Sequence, residues 1–539
     1  MARRRIVVVG GAFSGAVAAA RARELDEGAE VLLLERGPEV SYGIGGLAHL
    51  LSGEIEGPGA LNRENVRFFR DVYNVDVRTG VEVRSIDAKA HELELDDGPL
   101  RYDRLVVATG VRSPVPAIEG LEGATNVFRF RRLSDLEGIL RILKRGTNRV
   151  VILGGGYFGL EAADGFLRRG CQVTVVEKSE RILGSYSPAT SARVREVLNA
   201  QGASVVEGQP VTRVSTENRR VTELLFNGQG SVPADLVVVC TGVEPRTELL
   251  RKAGARLLRD GSVKVNRRMA TSLQDVFACG VCVSSKHAVT GKRVWLPQAS
   301  VADRSGQVAG ANAAGHDQKM APVLGTAILR IGELTVGRTG WTANGKKTAV
   351  TRVHGFDRDP YFPGANEITM EIFYKPGSGR IVGAEAFGGA GTDKRIDVLA
   401  TAILGKLDVE ALAGLDLAYA APYAMARDVT NVSGQVAAWS RERTARAWTP
   451  AEIEKEKPVV IDVGSTAEKG RGGPIRAQRR IPLEKLRERM SEVRSLARSR
   501  PVVFLCGTGR KGYLAARIAR GSGLKSAGYL SGGVASWPA

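Results

Sequence analysis

Cys506 closes an apolar run, PVVFLC (501–506), and is followed by Gly507-Thr508-Gly509 and then a helical pattern. A sulfur atom there is surrounded by backbone N–H groups and a helix N-terminus. Both favour a thiolate over a thiol and stabilise a persulfide anion. Arg510 and Lys511 add positive charge. Cys506 is therefore a candidate carrier of sulfane sulfur. The other cysteines are Cys171, Cys240, Cys279 and Cys282, and such a sparse, odd set argues for a reducing compartment rather than a disulfide framework. Cys279 and Cys282 have C-x-x-C spacing. We read them as small buried residues flanking a nucleotide turn. Two ligands without a second cluster are too few for a metal, and none is expected.

Two glycine-rich segments carry a different chemistry. In RIVVVGGAFSGAVAAARARELDEGAEVLLLE (5–35) an apolar strand enters the loop Gly10-Gly11-Ala12-Phe13-Ser14-Gly15, an Ala-rich helix follows, and a second strand ends on Glu35. Glycine serves the tight strand-to-helix turn and the close approach of backbone to a pyrophosphate, which sits on free N–H groups at the helix start. The terminal acid accepts from ribose hydroxyls. The segment 149–177 repeats the plan with Gly154, Gly156 and Gly159 around Tyr157 and Phe158, and ends on Glu177. An acid there favours a free 2′-hydroxyl, hence NAD over NADP, although Lys178 follows it directly. Two such units in one chain suggest one nucleotide held tightly and one exchanging. LVVATG (105–110, with Ala108, Thr109 and Gly110) and LVVVCTG (236–242, ending on Gly242) read as strands returning the chain towards a nucleotide.

These groups need more scaffold than one core provides. The 539 residues predict three or four domains, with 43% apolar and 25% charged residues, as in globular proteins. The start resembles a leader, but its apolar core, Ile6 to Val9, falls short of the roughly 7–15 residues such a segment needs. It reads as a first strand, and the location as cytoplasmic. No apolar run reaches the roughly 18 residues that span a bilayer, so no membrane partner is expected. The net charge is +19, about half of it after residue 450. The arginines are scattered on predicted helices without aromatic stacking positions or a nucleic-acid motif. A solvated basic face is expected, and no nucleic acid. After Trp448 the charged, Pro-punctuated run to residue 458 reads as a linker. Beyond it the strands VVIDV (459–463) and PVVFLC, an Arg-rich stretch between them, and helical segments read as a small α/β domain.

From Arg5 to about Trp439 the chain resembles the pyridine nucleotide–disulfide oxidoreductases, in particular the coenzyme A disulfide reductase, NADH oxidase and persulfide reductase branch. FFRDVYNVDVRTGVEV (68–83), LGTAILRIGELTVGRTG (324–340), YFPGAN (361–366) and LAYAAPYAMARDVTNVSG (417–434) carry the likeness. Cys506 with Gly507-Thr508-Gly509, and the closing LSGGVASW, resemble a rhodanese active loop and fold. The resemblance implies two Rossmann-like dinucleotide-binding domains, for FAD at 1–113 with 250–322 and for NAD(P)H at 114–249. It further implies an α+β dimerisation domain at 323–447 and a rhodanese-like α/β domain at 459–539. The implied cofactors are FAD and NAD(P)H. Implied contacts include, besides the loop residues above, Glu35, Arg36, Val83, Gly280 and Val281. The implied partners are a second copy of the chain, with Tyr361 and Tyr419 near its active site, and a small electron acceptor derived from coenzyme A or a persulfide.

The chain departs from that family in two places. Relatives read Ser-Phe-Ala-Asn-Cys-Gly-Leu-Pro after the second strand, and the cysteine is their redox thiol. This chain reads Ser41-Tyr42-Gly43-Ile44-Gly45-Gly46-Leu47-Ala48, with PEVS and SGEI fixing the register. Gly45 replaces the nucleophile, so no mixed disulfide forms there. Val281 replaces an Asp that bonds the FAD ribityl chain, which weakens binding without abolishing it. Three functions remain: a flavoenzyme passing electrons from NAD(P)H to a sulfur-bearing acceptor with sulfur carried by Cys506; an NADH oxidase or quinone-type reductase; or a degenerate scaffold with sulfur carriage alone. His49 is read as a packed side chain, with proton donation as the alternative.

Overall fold

The computed structural model describes residues 3–61, 64–228, 230–342, 348–465 and 475–537. It divides into two compact units, residues 1–183 with 198–325, and residues 184–197 with 326–539.

The first unit holds two parallel five-stranded sheets. Short runs of Val, Ile and Leu, buried on both faces, build them. In one, the order is Val276–Ala278, Arg104–Val107, Arg5–Val9, Glu30–Glu35, Asp76–Thr79. In the other it is Ser204–Glu207, Gln172–Glu177, Arg149–Leu153, Leu236–Val239, Val127–Arg129. The second sheet is thus an insertion: its strands all lie in the chain between Arg104–Val107 and Val276–Ala278 of the first. Helix Ser14–Leu25 packs on helix Ala299–Ala313 through bare backbone. A Cβ on Gly306 would lie 2.6 Å from the Ser14 carbonyl oxygen, and one on Gly310 only 2.3 Å from that of Ala18. Small residues let the two helices approach this closely.

The second unit holds an antiparallel five-stranded sheet in the order Ala327–Ile331, Leu334–Gly340, Ile381–Gly388, Glu367–Tyr374, Ala349–Phe356. Helices Thr392–Leu404 and Val429–Arg441 pack on it. It also holds a parallel five-stranded sheet in the order Arg446–Trp448, Gly528–Leu530, Val502–Leu505, Val459–Asp462, Arg479–Arg480. The expected α/β class, with two Rossmann-like sheets, an α+β part and a small α/β module, is what the chain forms.

The linker expected at 448–458 is not one. Trp448 is fully buried at the end of an edge strand paired with Gly528–Leu530, and Pro450–Glu456 is a helix. Thr449 and Glu452 form a reciprocal capping box and Pro450 stands in the first turn, so this helix start is strongly encoded. Part of the Arg-rich stretch, 466–474, lies outside the described residues.

Candidate active site

The first glycine loop is a backbone cradle. Gly10 has φ +96°, and a Cβ there would lie 2.5 Å from the Ala108 carbonyl oxygen; one on Gly15 would lie 1.8 Å from that of Gly10. Only glycine fits either place. Glu35 Oε2 accepts from Gly11 N–H at 2.7 Å and its Oε1 from Gly37 N–H at 2.6 Å, which pins the acid at the loop mouth. Beside the loop opens a cavity of about 1350 Å³. Gly10, Ala12, Phe13, Ser14, Glu35, Arg36, Val83, Ala108, Thr109, Gly110, Phe158 and Val281 line it. Gly11, Gly15 and Gly280 lie outside that lining. Gly280, with φ +84°, packs against the Ser14 side chain and donates its N–H to Ser305 Oγ at 2.8 Å.

The sequence reading missed the cavity's cations. Arg84, Arg112, Arg131, Arg132, Arg246 and Lys252 face it besides Arg36. Burial, and then the neighbouring Arg132 and Arg36, push the Arg246 guanidinium down to about 10. A cation disfavoured in this way by its fellow cations makes a site for an anion, and a dinucleotide pyrophosphate is one. A bare loop, a ribose acid and surplus positive charge fit FAD. The cations come from separated segments.

The second loop repeats the geometry. Gly154 has φ +108°, and its Cβ would lie 2.5 Å from the Cys240 carbonyl oxygen. Gly159 abuts Gly154, whereas the space before Gly156 is open. Glu177 Oε2 accepts from Gly155 N–H and its Oε1 from Ser179 N–H, each at 2.8 Å. Gly242 turns with φ +111°. Tyr157 begins the helix Tyr157–Arg168. Phe158 reaches the first cavity, where the Arg131 guanidinium lies 5.4 Å from its ring. These residues suit a second dinucleotide.

Tyr42, Gly43, Ile44 and Gly45 line the first cavity. A Cβ on Gly45 would meet nothing within 4 Å. Position 45 is open and carries no reactive side chain. Neither Cys279 nor Cys282 lines the cavity. Both are buried, burial raises both thiols, and the Cys282 Sγ is turned onto the Cys279 carbonyl oxygen at 3.2 Å. Val281 lines the cavity, with its carbonyl taken by Trp295 Nε1 at 2.7 Å. His49 does more than pack. Its Nδ1 lies 2.6 Å from Glu54 Oε2, and it opposes the effect of burial on Glu161, whose carboxyl burial raises to about 7.

In the second unit, Cys506 is 4% exposed at the strand end. Its Sγ accepts N–H from Gly509 at 3.1 Å and Gly512 at 3.3 Å, at the start of helix Arg510–Gly521. Gly509 has φ +86°, a left-handed conformation that favours glycine at this turn. Tyr361 and Tyr419 are 74% and 53% exposed, and their hydroxyls converge on Asp359 Oδ2 at 3.3 and 3.4 Å.

Known proteins decide the family. The family model described as pyridine nucleotide-disulphide oxidoreductase matches residues 4–306. The chain belongs to that family. The rhodanese-like domain model matches residues 445–539. The NAD(P)H sulfur oxidoreductase (CoA-dependent) of Pyrococcus abyssi is 31% identical over 80% of this chain and 98% of its own. The crystal structure of reduced Bacillus anthracis CoADR-RHD is 29% identical, with TM-score 0.93 over 99% of this chain and 98% of that one. The NAD-dependent persulfide reductase from A. fulgidus is 30% identical, with TM-score 0.93 over 99% and 100%. The chain is an FAD- and NAD(P)H-dependent oxidoreductase of this family with a rhodanese-like domain. Among the described residues no helix is long and apolar enough to cross a membrane.

Proposed function

We propose that the chain reduces a small sulfur-bearing acceptor, a persulfide or polysulfide, with electrons from NAD(P)H, and that Cys506 carries the sulfane sulfur. The observation that carries this reading is the Cys506 cradle, two N–H donors and a helix start on one sulfur, in a chain with both nucleotide loops. The likeness to proteins named as a persulfide reductase and a CoA-dependent sulfur oxidoreductase supports it.

The Cys506 thiolate attacks the outer sulfur of R–S–SH. The S–S bond breaks, the thiol R–SH leaves with the proton, and Cys506 holds –S–S⁻ stabilised by the Gly509 and Gly512 amides. A hydride from NAD(P)H balances the reduction to Cys506 thiolate and hydrosulfide. FAD, when bound, supplies the two-electron relay. Gly10 to Gly15 would hold its pyrophosphate and Glu35 its ribose, while Gly154 to Gly159 and Glu177 would hold the nicotinamide nucleotide. The division into an FAD-binding part (1–113 with 250–322), an NAD(P)H-binding part (114–249) and a dimerisation part (323–447), and a homodimer through 323–447 with Tyr361 and Tyr419 facing the partner, belong to the same proposal. A monomer at micromolar concentration in sedimentation would remove the dimer from it.

The test is anaerobic NADH titration of the purified protein, followed by a screen of persulfide, polysulfide, coenzyme A disulfide, quinone and oxygen. Turnover of persulfide that is lost in Cys506→Ser supports the reading. Persulfide turnover that Cys506→Ser leaves intact removes the sulfur-carrier role. The open, thiol-free Gly45 position favours a second reading, a flavin oxidase or quinone reductase, which the same screen separates.

A further inference from the structure

Arg352 belongs to the antiparallel sheet of the second unit, yet it reaches into the rhodanese-like module. It is 3% exposed. Its Nε and Nη2 donate to Glu371 Oε1 at 2.9 and 2.5 Å, directly across the paired strands. Its Nη1 donates to the Ser536 carbonyl oxygen at 2.7 Å, and the Trp537 ring stacks 4.0 Å from the guanidinium. The Arg352 backbone and Ser531 Oγ exchange two further bonds, at 3.3 and 3.2 Å. Taking an ion pair out of water is costly, and such a pair is weak support for stability alone. Here the guanidinium's third nitrogen and its face are used on the turn 531–537.

That turn is in contact with the sulfur loop. Val534 N–H donates to the Cys506 carbonyl at 2.9 Å and Ala535 N–H to that of Gly507 at 3.0 Å. Gly533 sits so close that an added Cβ would lie 2.3 Å from the Gly509 nitrogen. The Gly509 amide is itself a donor to Cys506 Sγ. On the far side, Tyr513 of the helix after Cys506 stacks on Trp439 of helix Val429–Arg441, with centroids 4.6 Å apart and planes 6° from parallel.

We propose that Arg352 is a positioning residue for the Cys506 loop: it holds the 531–537 turn, and the turn holds the amides that face the sulfur. The inference rests on the reading of Cys506 as a sulfur carrier only for its consequence in turnover. Its geometry stands without it.

The test uses the full-length holoprotein and follows iodoacetamide alkylation of Cys506 against pH by peptide mass, together with FAD content and the rate of flavin reduction by NADH. In Arg352→Met the alkylation profile should move to higher pH by about one unit as the donor amides lose alignment, with cofactor content and reduction rate unchanged. Trp537→Leu, at the other end of the contact, should move it the same way and decides the matter should Arg352→Met not fold. A wild-type profile in the folded variants overturns the proposal. Wild-type protein in which Cys506 alkylates but takes up no sulfur from a persulfide overturns the sulfur-carrier reading instead, and leaves the Arg352 result legible.

Discussion

Gly155 donates its N–H to Glu177 Oε2 at 2.8 Å, so the acid that closes the second nucleotide unit is fastened to the glycine loop of that unit. A carboxylate fixed where the loop would hold a ribose would repel a 2′-phosphate, and the neighbouring Lys178 is exposed. NADH should reduce the flavin faster than NADPH. Glu177→Ala should lower that preference by about tenfold, or 1.4 kcal/mol. Stopped-flow reduction with each nucleotide measures it, and a wild-type preference for NADPH would contradict it.

Gly45 lies outside the left-handed backbone region, and its built Cβ meets nothing. Cysteine is therefore tolerated there. Gly45→Cys should fold, show a thiolate-to-flavin charge-transfer band on NADH addition, and reduce coenzyme A disulfide faster than the wild type. At Gly46 a Cβ would lie 2.3 Å from a Leu61 methyl carbon, and Gly46 does not line the cavity. Gly46→Cys is the matched control without a band. Wild-type disulfide turnover that survives loss of Cys506, Cys279 and Cys282 would show the thiol-free account to be wrong.

Val281 presents hydrocarbon to the cavity. The protein should purify with FAD on the strength of the remaining contacts. Val281→Asp should tighten FAD by about 1–3 kcal/mol, the worth of one bond to a buried polar ligand. Fluorescence titration of the apoprotein with FAD reads the difference, and equal affinities would assign that turn's role to its backbone.

Burial raises the Glu161 carboxyl from 4.5 to about 7, against the pull of His49. The folded state then binds more protons than the unfolded chain between those values. Stability falls as pH rises through that window, and the full cost is present above it. Glu161→Gln removes the cost. It should raise stability at about pH 8 by up to about 3 kcal/mol, read as a higher apparent Tm, and leave both unchanged at about pH 4. Calorimetry at the two pH values tests the sign.

Both nucleotide loops were legible because their requirement is local: strand, glycines at fixed offsets, helix, strand, acid. The Cys506 loop was legible for the same reason. Arg131, Arg132 and Arg246 were not, since a shared cavity brings together segments over a hundred residues apart. The Arg352–Ser536 contact has no local signature either. The helix Pro450–Glu456 was legible and was misread: Thr449-Pro450-Ala451-Glu452 is a capping box with proline in the first turn, and its charge hid it. His49 also looked bland, because Glu161 comes near it only when helix Leu47–Ser52 packs on Tyr157–Arg168.

The interrupted first sheet has a consequence for how the molecule is made. Val276–Ala278 completes its edge against Arg104–Val107, and helix Ala299–Ala313 seats on Ser14–Leu25, after the whole inserted sheet has intervened. Closing so long a loop is slow. On the ribosome the insert, whose strands are nearer to one another, is free to form before its host. The flavin cavity is thus a late product of folding, and a lesion at Gly306 or Gly310 should surface as nascent protein that never acquires its colour.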